Sequence, residues 1–347
     1  MRDASAPKSS RGRYFEDFQL GQSMTHGSPQ TITEGDLALY HALTGNRFTL
    51  QTSNHFARRV GYHAAPVDDL FVFNAVFGLS VSDISRNATA NLGYAACDFL
   101  AQLYVGETLG ARSTVIGLRE TSDRRSGIVY VETEGLDHRG VPVLRFIRWV
   151  LVPKRDPKSE TAATSVPDLP EVVRPITVPR HKLNRDWDDV LAGSPYRWED
   201  YAEGEKIDHI DGVTVEDSEH MAATRLYRNS ARVHFDAVAA AATPHGRRIV
   251  YGGHVITLAR ALSHNGLANA GIVAAINGGR HVAPTFAGDT IYAWSEVIEK
   301  IELSRRSDIG GLRLRTRAVK NIACADFPTE GDHLVLDLDY TVILPRR

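Results

Sequence analysis

Cysteine is nearly absent: Cys97 and Cys324 lie far apart in a chain of 347 residues and form no CxxC pair. That argues against a disulfide scaffold and against a cysteine-built zinc site, and makes a reducing, cytoplasmic compartment the expected one. An excess of either charge is also lacking. Forty basic residues face 42 acidic ones, for a net charge of −2 and an isoelectric point near 6.7. A nucleic-acid-binding module would show a clear basic excess, so that class is disfavoured. No run of 18 apolar residues occurs, so no transmembrane helix is expected. Met1–Arg13 has no apolar stretch of the kind a secretory signal carries, and is expected to be a frayed tail. Neither GxGxxG nor GxxxxGK is present, so no nucleotide cofactor is indicated. The 14 histidines form no HxxxH or HExxH pattern, so no metal site is expected. What is present is ordinary for a globular protein, 43% hydrophobic and 24% charged residues, which rules out wholesale disorder. The length suggests about two domains.

The chain repeats itself once. Tyr14-Phe15-Glu16-Asp17-Phe18 resembles Arg197-Trp198-Glu199-Asp200-Tyr201, 183 positions later. The same spacing carries Gly21 onto Gly204, His26 onto His209, Thr31 onto Thr214, Leu43 onto Leu226 and Asn46 onto Asn229. Further on, Val105-Gly106-Glu107-Thr108-Leu109 resembles Ala287-Gly288-Asp289-Thr290-Ile291, and the two copies end alike, Val150–Arg155 against Val342–Arg347. Two tandem copies of one domain are expected, 13–152 and 196–347, joined by a Pro-rich linker, 153–195. Repeated prolines deny that linker both helix and ladder hydrogen bonds, so it should run extended across one copy.

Within each copy a helix is expected first. Thr33 with Asp36 would cap it in copy one, and Thr214 with Asp217 in copy two. A more apolar helix follows. Leu70–Phe77 is apolar nearly all round, and Val255, Leu258, Ala259 and Leu262 fall at helical spacing. The remainder alternates with period two, as at Leu312, Leu314 and Thr316 against a solvated row of Arg313, Arg315 and Arg317, at Leu334, Leu336, Leu338 and Tyr340, and less cleanly at Ile128, Tyr130 and Glu132. Such alternation in succession predicts antiparallel strands with one buried face. The fold class is α+β, a curved antiparallel sheet around a buried helix.

The Pro284–Thr290 turn (PTFAGDT) and the buried helix in its sheet resemble the hotdog fold of the MaoC-like hydratases, and two copies resemble its double-hotdog form. Asn91–Ala95, Tyr251–His254, Arg225–Phe235 and Ala287–Glu296 resemble, within that family, the mesaconyl-CoA (β-methylmalyl-CoA dehydratase) branch. The resemblance spans Arg13 to Arg347. It implies a cofactor-free hydro-lyase acting on an acyl-CoA thioester, with copy two catalytic and copy one helping to bind. Hotdog sheets bury their edges by pairing, so a homodimer or higher homo-oligomer is expected, although the two copies could already pair with each other.

The (R)-specific hydratases of the family carry an Asp and, five positions on, a His in the loop after the first helix. Here His234 holds the His position and Asn229 stands where the Asp would be. In copy one Asn46 and Gln51 take the two positions, so no titrating group remains there. Hydration of an enoyl thioester needs a base for water, an acid for Cα and donors for the thioester oxygen. His234 fits the proton carrier. Asn229 can only orient water or ring, so either His234 works nearly alone or a carboxylate substitutes, with Asp236, Glu219 and Asp217 as candidates. Gly252 and Gly253 open the apolar helix, where close approach and free amides favour a developing negative charge; likeness to the family's turn assigns the oxyanion amide to Gly253. A dicarboxylic substrate needs a cation, for which Arg232, Arg228, Arg280 and His281 are candidates. Which residues meet the CoA phosphates no spacing rule tells. The rival expectations are a hydratase for another branched or dicarboxylic enoyl-CoA, a thioesterase on the same fold, and a non-catalytic acyl-CoA binder.

Overall fold

The computed structural model describes residues 8–160 and 163–347. The expected tail lies partly outside them, at Met1–Pro7. Its later part is fastened, since the Asn87 amide donates to the carbonyls of Arg11 and Arg13 at 2.9 and 3.2 Å.

In the first half β1 (Ser23–Thr31) leads into α1 (Glu34–Thr44). The Thr33 hydroxyl accepts the Asp36 N–H at 3.2 Å while the Asp36 carboxylate accepts the Thr33 N–H at 2.8 Å. Such a box contributes about 1 kcal/mol. Short α2 (Thr49–Thr52) and α3 (Asn54–Arg59) precede the long α4 (Asp69–Ile84), then β2 (Ala90–Phe99), β3 (Thr108–Glu120), β4 (Ser126–Leu136) and β5 (Pro142–Pro153). After a segment holding α5 (Asp189–Ala192) the order largely returns: β6 (Lys206–Thr214), α6 (Asp217–Leu226), α7 (Ala237–Ala241), α8 (Gly252–Leu262), α9 (His264–Leu267), β7 (Ile272–His281), β8 (Thr290–Glu302), β9 (Ile309–Lys320) and β10 (Leu334–Pro345).

All ten strands form one antiparallel sheet, in the order β1-β3-β4-β5-β2-β7-β10-β9-β8-β6. The second five strands repeat the first five in mirror order about the β2–β7 pair, where Tyr94 faces Gly279 and Cys97 faces Ile276. The sheet curls around α4 and α8. Phe71, Phe73 and Phe77 of α4 share one continuous core with Val255, Ile256 and Leu258 of α8. Each such side chain stabilises by about 1.5–3 kcal/mol on burial. Gly78 shows how closely the halves meet: a Cβ there would lie 1.7 Å from the Tyr227 carbonyl oxygen, at the end of α6.

Three expectations change. The cap of α6 is Glu216, not Thr214. Thr214 still belongs to β6 and bonds Thr290 across the strands at 2.8 Å, so the helix opens two residues later. The Arg313, Arg315 and Arg317 row is not freely solvated: Arg313 forks onto Asp339 and Arg315 onto Asp337 of neighbouring β10, and Arg317 is buried with its guanidinium 4.9 Å over the Trp294 ring. Segment 153–195 touches both halves. Ser165 bridges Leu118 of β3, the Val173 N–H donates to Asn277 of β7 at 3.0 Å, and Trp187 packs edge-on against Phe56 of α3. Among the described residues no helix is long and apolar enough to cross a membrane.

Candidate active site

The chain leaves α6 through Tyr227, and Arg228 reverses it with φ of 58°. Asn229 then folds back on the loop: its Oδ1 accepts the Ala231 N–H at 2.9 Å, an Asx turn. A single 3-10 turn, Arg232–His234, delivers the imidazole. His234 Nδ1 lies 3.0 Å from the Ile249 carbonyl. A carbonyl can only accept, so Nδ1 carries the hydrogen and Nε2 is left as the basic nitrogen. Burial pushes the ring's pKa down to about 4, against the pull of that carbonyl. The imidazole is therefore neutral at pH 7, the form a general base needs.

His234 lines a cavity of 290 Å³ between the two halves. The second half also contributes Asn229, Tyr251, Gly252 and His281. The first half contributes Phe77 and Val81 from α4, Tyr94 from β2 and Arg148 from β5. His281 Nε2 is 3.1 Å from the Tyr94 hydroxyl, and burial together with nearby His234 pushes the His281 pKa to about 4.

One end of α8 opens here. His254 and Val255 donate back to the Tyr251 carbonyl, which leaves the amides of Gly252 and Gly253 with no intrahelical acceptor. The cap residue, Tyr251, makes no side-chain bond to the helix. The first half differs at the matching place. There Asp68 caps α4, and its Oδ1 accepts the N–H of Leu70 and Phe71 at 2.9 and 3.3 Å. Tyr40 and Asn46 donate to the same carboxylate. One helix end is thus closed by its own acid and the other faces a cavity.

The structure brings His234, Asn229, Gly252 and His281 together around this cavity. Gly253 lies one residue deeper, against Asn74 of α4, whose Nδ2 donates to the Gly253 carbonyl at 3.2 Å. Arg228, Arg232 and Arg280 are not brought to the cavity. All three are exposed, and Arg280 leans toward Asp337 at 3.6 Å. Successive strand residues point to opposite faces, so Arg280 and His281 cannot both look inward. The three substitute carboxylates also stay away. Asp236 caps α7, Asp217 pairs with Arg248, and Glu219 is exposed on α6. No Asp or Glu lines the cavity among the described residues. Gln51 donates to the Gly271 carbonyl and is not in the lining. No group of three His, Cys, Asp or Glu that could hold a metal occurs among the described residues.

Missing from the sequence-based site are Tyr94, Tyr251, Asn91 and Arg148. The first three could have been suspected from Asn91–Ala95 and Tyr251–His254, which carry the family resemblance. The signal for Arg148 in the chain is a single charge at an apolar position of the alternating run Leu144–Val152.

Neutral buried histidines set a pH limit on the fold. Burial holds His209, His234, His264 and His281 near pKa 4 and His254 near 3. Below pH 6.5 the unfolded chain takes up protons that the folded chain refuses, so stability falls as the pH drops toward 4. Asp69, pushed up to about 8 by burial beside Asp68, and Asp98, also raised by burial, oppose this, but the lowered histidines outnumber them, since burial lowers His41, His181 and His220 as well. Melting temperature measured from pH 7.5 to 5 should fall steadily. A flat profile would mean that these rings gain protons without disturbing the fold.

The profile of the family described as mesaconyl-CoA hydratase matches residues 3–323. The chain is 54% identical to the β-methylmalyl-CoA dehydratase of Chloroflexus aurantiacus, over 98% of this chain and 99% of that one. It is 51% identical to the mesaconyl-CoA hydratase of Cereibacter sphaeroides, over 98% and 100% of the two chains. A crystal structure of a MaoC domain protein dehydratase from Chloroflexus aurantiacus superposes with a TM-score of 0.97 at 53% identity, covering 99% of this chain and 100% of that one. A Mycobacterium tuberculosis protein described as a double hotdog superposes with a TM-score of 0.76 at 25% identity, over 96% and 99% of the chains. The fold is a MaoC-like double hotdog.

Proposed function

The chain belongs to the mesaconyl-CoA hydratase family, and from that premise we propose that it reversibly hydrates mesaconyl-CoA to β-methylmalyl-CoA. The observation that carries the chemistry is the His234 ring: neutral, held by Nδ1 on the Ile249 carbonyl, with Nε2 left for the cavity.

Water would sit between His234 Nε2 and Cβ of the enoyl thioester. The Asn229 carbonyl is engaged by Ala231, so the Asn229 amide N–H remains to hold the water oxygen or the ring's neighbour in place. As Nε2 takes a proton from water, the oxygen bonds to Cβ and the π pair moves through Cα onto the thioester oxygen. The amide of Gly252, which lines the cavity at the positive end of α8, then faces that charge, with the Gly253 amide one residue behind it. The imidazolium returns its proton to Cα, the enolate collapses to the thioester, and the ring is neutral again. One proton makes the circuit, so no second carboxylate is required, which suits a cavity that has none among the described residues.

A thioesterase would need a carboxylate or nucleophile at the carbonyl, and Asn229 is neither. The test is direct. Incubation with β-methylmalyl-CoA should raise enoyl-thioester absorbance without releasing free thiol. Thiol release would make the protein a thioesterase, and no change in either would leave an acyl-CoA binder. Gln51→Ala should change turnover by less than about threefold, since Gln51 meets the Gly271 backbone and not the cavity. Equal losses for Gln51→Ala and His234→Ala would contradict the division of labour between the halves. Free, buried Cys97 and Cys324 suit a reducing cytoplasm. A homo-oligomer is the expected assembly, and light scattering would give its mass.

A further inference from the structure

Arg148 occupies an unusual place on β5. Leu144, Phe146, Arg148, Val150 and Val152 alternate along the inward face, and all five are 0% exposed. Arg148 alone among them is charged. Its guanidinium lies 4.0 Å over the Phe77 ring. Nη2 donates to Ser80 Oγ at 2.8 Å and Nη1 to Ser85 Oγ at 3.2 Å, while Nε has no acceptor. Among the described residues no carboxylate acts on it; the ionisable groups that do are the phenols of Tyr251 and Tyr94. Burial lowers its pKa to about 10, so it stays charged at neutral pH. Another buried arginine, Arg260, contrasts with it by lying in the field of Asp68 and Asp69.

A buried cation with no counter-ion is destabilising, so a fold that keeps one without return would be at a disadvantage. Here a counter-ion has a way in. Arg148 lines the same cavity as His234 and Gly252. Asn91 and Tyr251 line it too, and the Asn91 side-chain amide and the Tyr251 hydroxyl are likewise buried without partners. These are the polar groups of an anion site that a substrate completes.

We propose that Arg148 binds the free carboxylate of the substrate and thereby sets a preference for dicarboxylic over neutral acyl thioesters. The proposal rests on the hydratase reading above. In a but-2-enedioyl monothioester the free carboxylate is attached to Cβ, the carbon that water attacks. Arg148 therefore both anchors the acyl group beside His234 and offsets a negative charge that would repel the incoming oxygen. Nε–H with a second Nη hydrogen supplies the two-pronged donor a carboxylate matches.

Succinyl-CoA and butyryl-CoA are the probes. Both are saturated four-carbon thioesters and differ only in a terminal carboxylate or methyl. By calorimetry the wild-type protein should bind succinyl-CoA at least about 10-fold more tightly. Arg148→Met should abolish that preference and leave butyryl-CoA affinity within about threefold. Its melting temperature should stay level or rise, because an unpaired buried charge has been removed. Arg148→Lys, which keeps the charge but not the fork, should retain part of the preference. No preference in the wild type, a preference that survives in Arg148→Met, or a collapse of melting temperature in either variant would each overturn the proposal. A wild-type protein that prefers succinyl-CoA yet leaves mesaconyl-CoA unhydrated would sink the reaction and leave the role of Arg148 standing.

Discussion

His234→Ala should fold as the parent does and turn over mesaconyl-CoA about 10²- to 10⁴-fold more slowly, the range for removal of a general acid–base group. The ring makes one hydrogen bond to the Ile249 carbonyl, and losing such a bond costs about 1 kcal/mol. That is small against the stability of a fold with so large a core. Activity, in contrast, loses its assigned proton carrier: no carboxylate lines the cavity among the described residues, and the neighbouring His281 ring has its Nε2 on the Tyr94 hydroxyl. In the parent, kcat/KM should hold from pH 8 to about 5 and fall below it as His234, with its pKa near 4, gains a proton and ceases to be a base. The variant should lose that acidic limb. Turnover within threefold of the parent, in a variant that melts normally, would take the imidazole out of the mechanism.

Gly252→Ala should also fold, and should lose roughly 10²-fold in turnover, as expected when donors at the reacting oxygen are displaced by an ångström or so. A Cβ at Gly252 would lie 2.4 Å from His281 Nε2 and 2.5 Å from its Cε1. Those atoms belong to a side chain, so the fold can yield by moving the His281 ring. Doing so breaks the contact with Tyr94 at 3.1 Å and puts a methyl group on the cavity wall at the open end of α8. Comparing Gly252→Ala with the Gly252→Ala/His281→Ala pair separates the two effects. If only crowding of His281 matters, the pair should match His281→Ala alone. If the amide end of α8 must stay bare, the pair should remain about as slow as Gly252→Ala. Parent-like turnover in the single variant would remove that helix end from the chemistry.

Much of the architecture was legible because its signals are local. The apolar run Leu70–Phe77 is a helix buried on every side, and the Thr33–Asp36 box opens α1 as its spacing implies. Leu312, Leu314 and Thr316 face inward at period two. The α6 cap slipped because Thr214 and Glu216 are both plausible starts, and only the cross-strand bond to Thr290 assigns Thr214 to the strand. The arginine row of β9 read as solvated because nothing local announces that Asp337 and Asp339 stand opposite.

The cavity residues divide along the same line. His234, Asn229 and Gly252 belong to motifs contiguous in the chain, and resemblance to a family could mark them. The cation could not be found that way. Arg228, Arg232 and Arg280 were attractive for being close in sequence to His234 or to the GDT turn, yet loop reversal and strand alternation turn all three to the surface. Arg148 is 86 positions from His234 in the chain and reaches its cavity only because β5 pairs with β2, and β2 with β7.

By itself the chain's order of residues determined a doubled α+β unit, its helices and strands, and which half kept an imidazole, since periodicity and repetition are properties of neighbours along a line. Only the folded sheet decided that the α8 amides stay open while Asp68 closes α4, and that a guanidinium from one half stands in the cavity of the other. Those facts depend on distances across the sheet, which pairing order and curvature set.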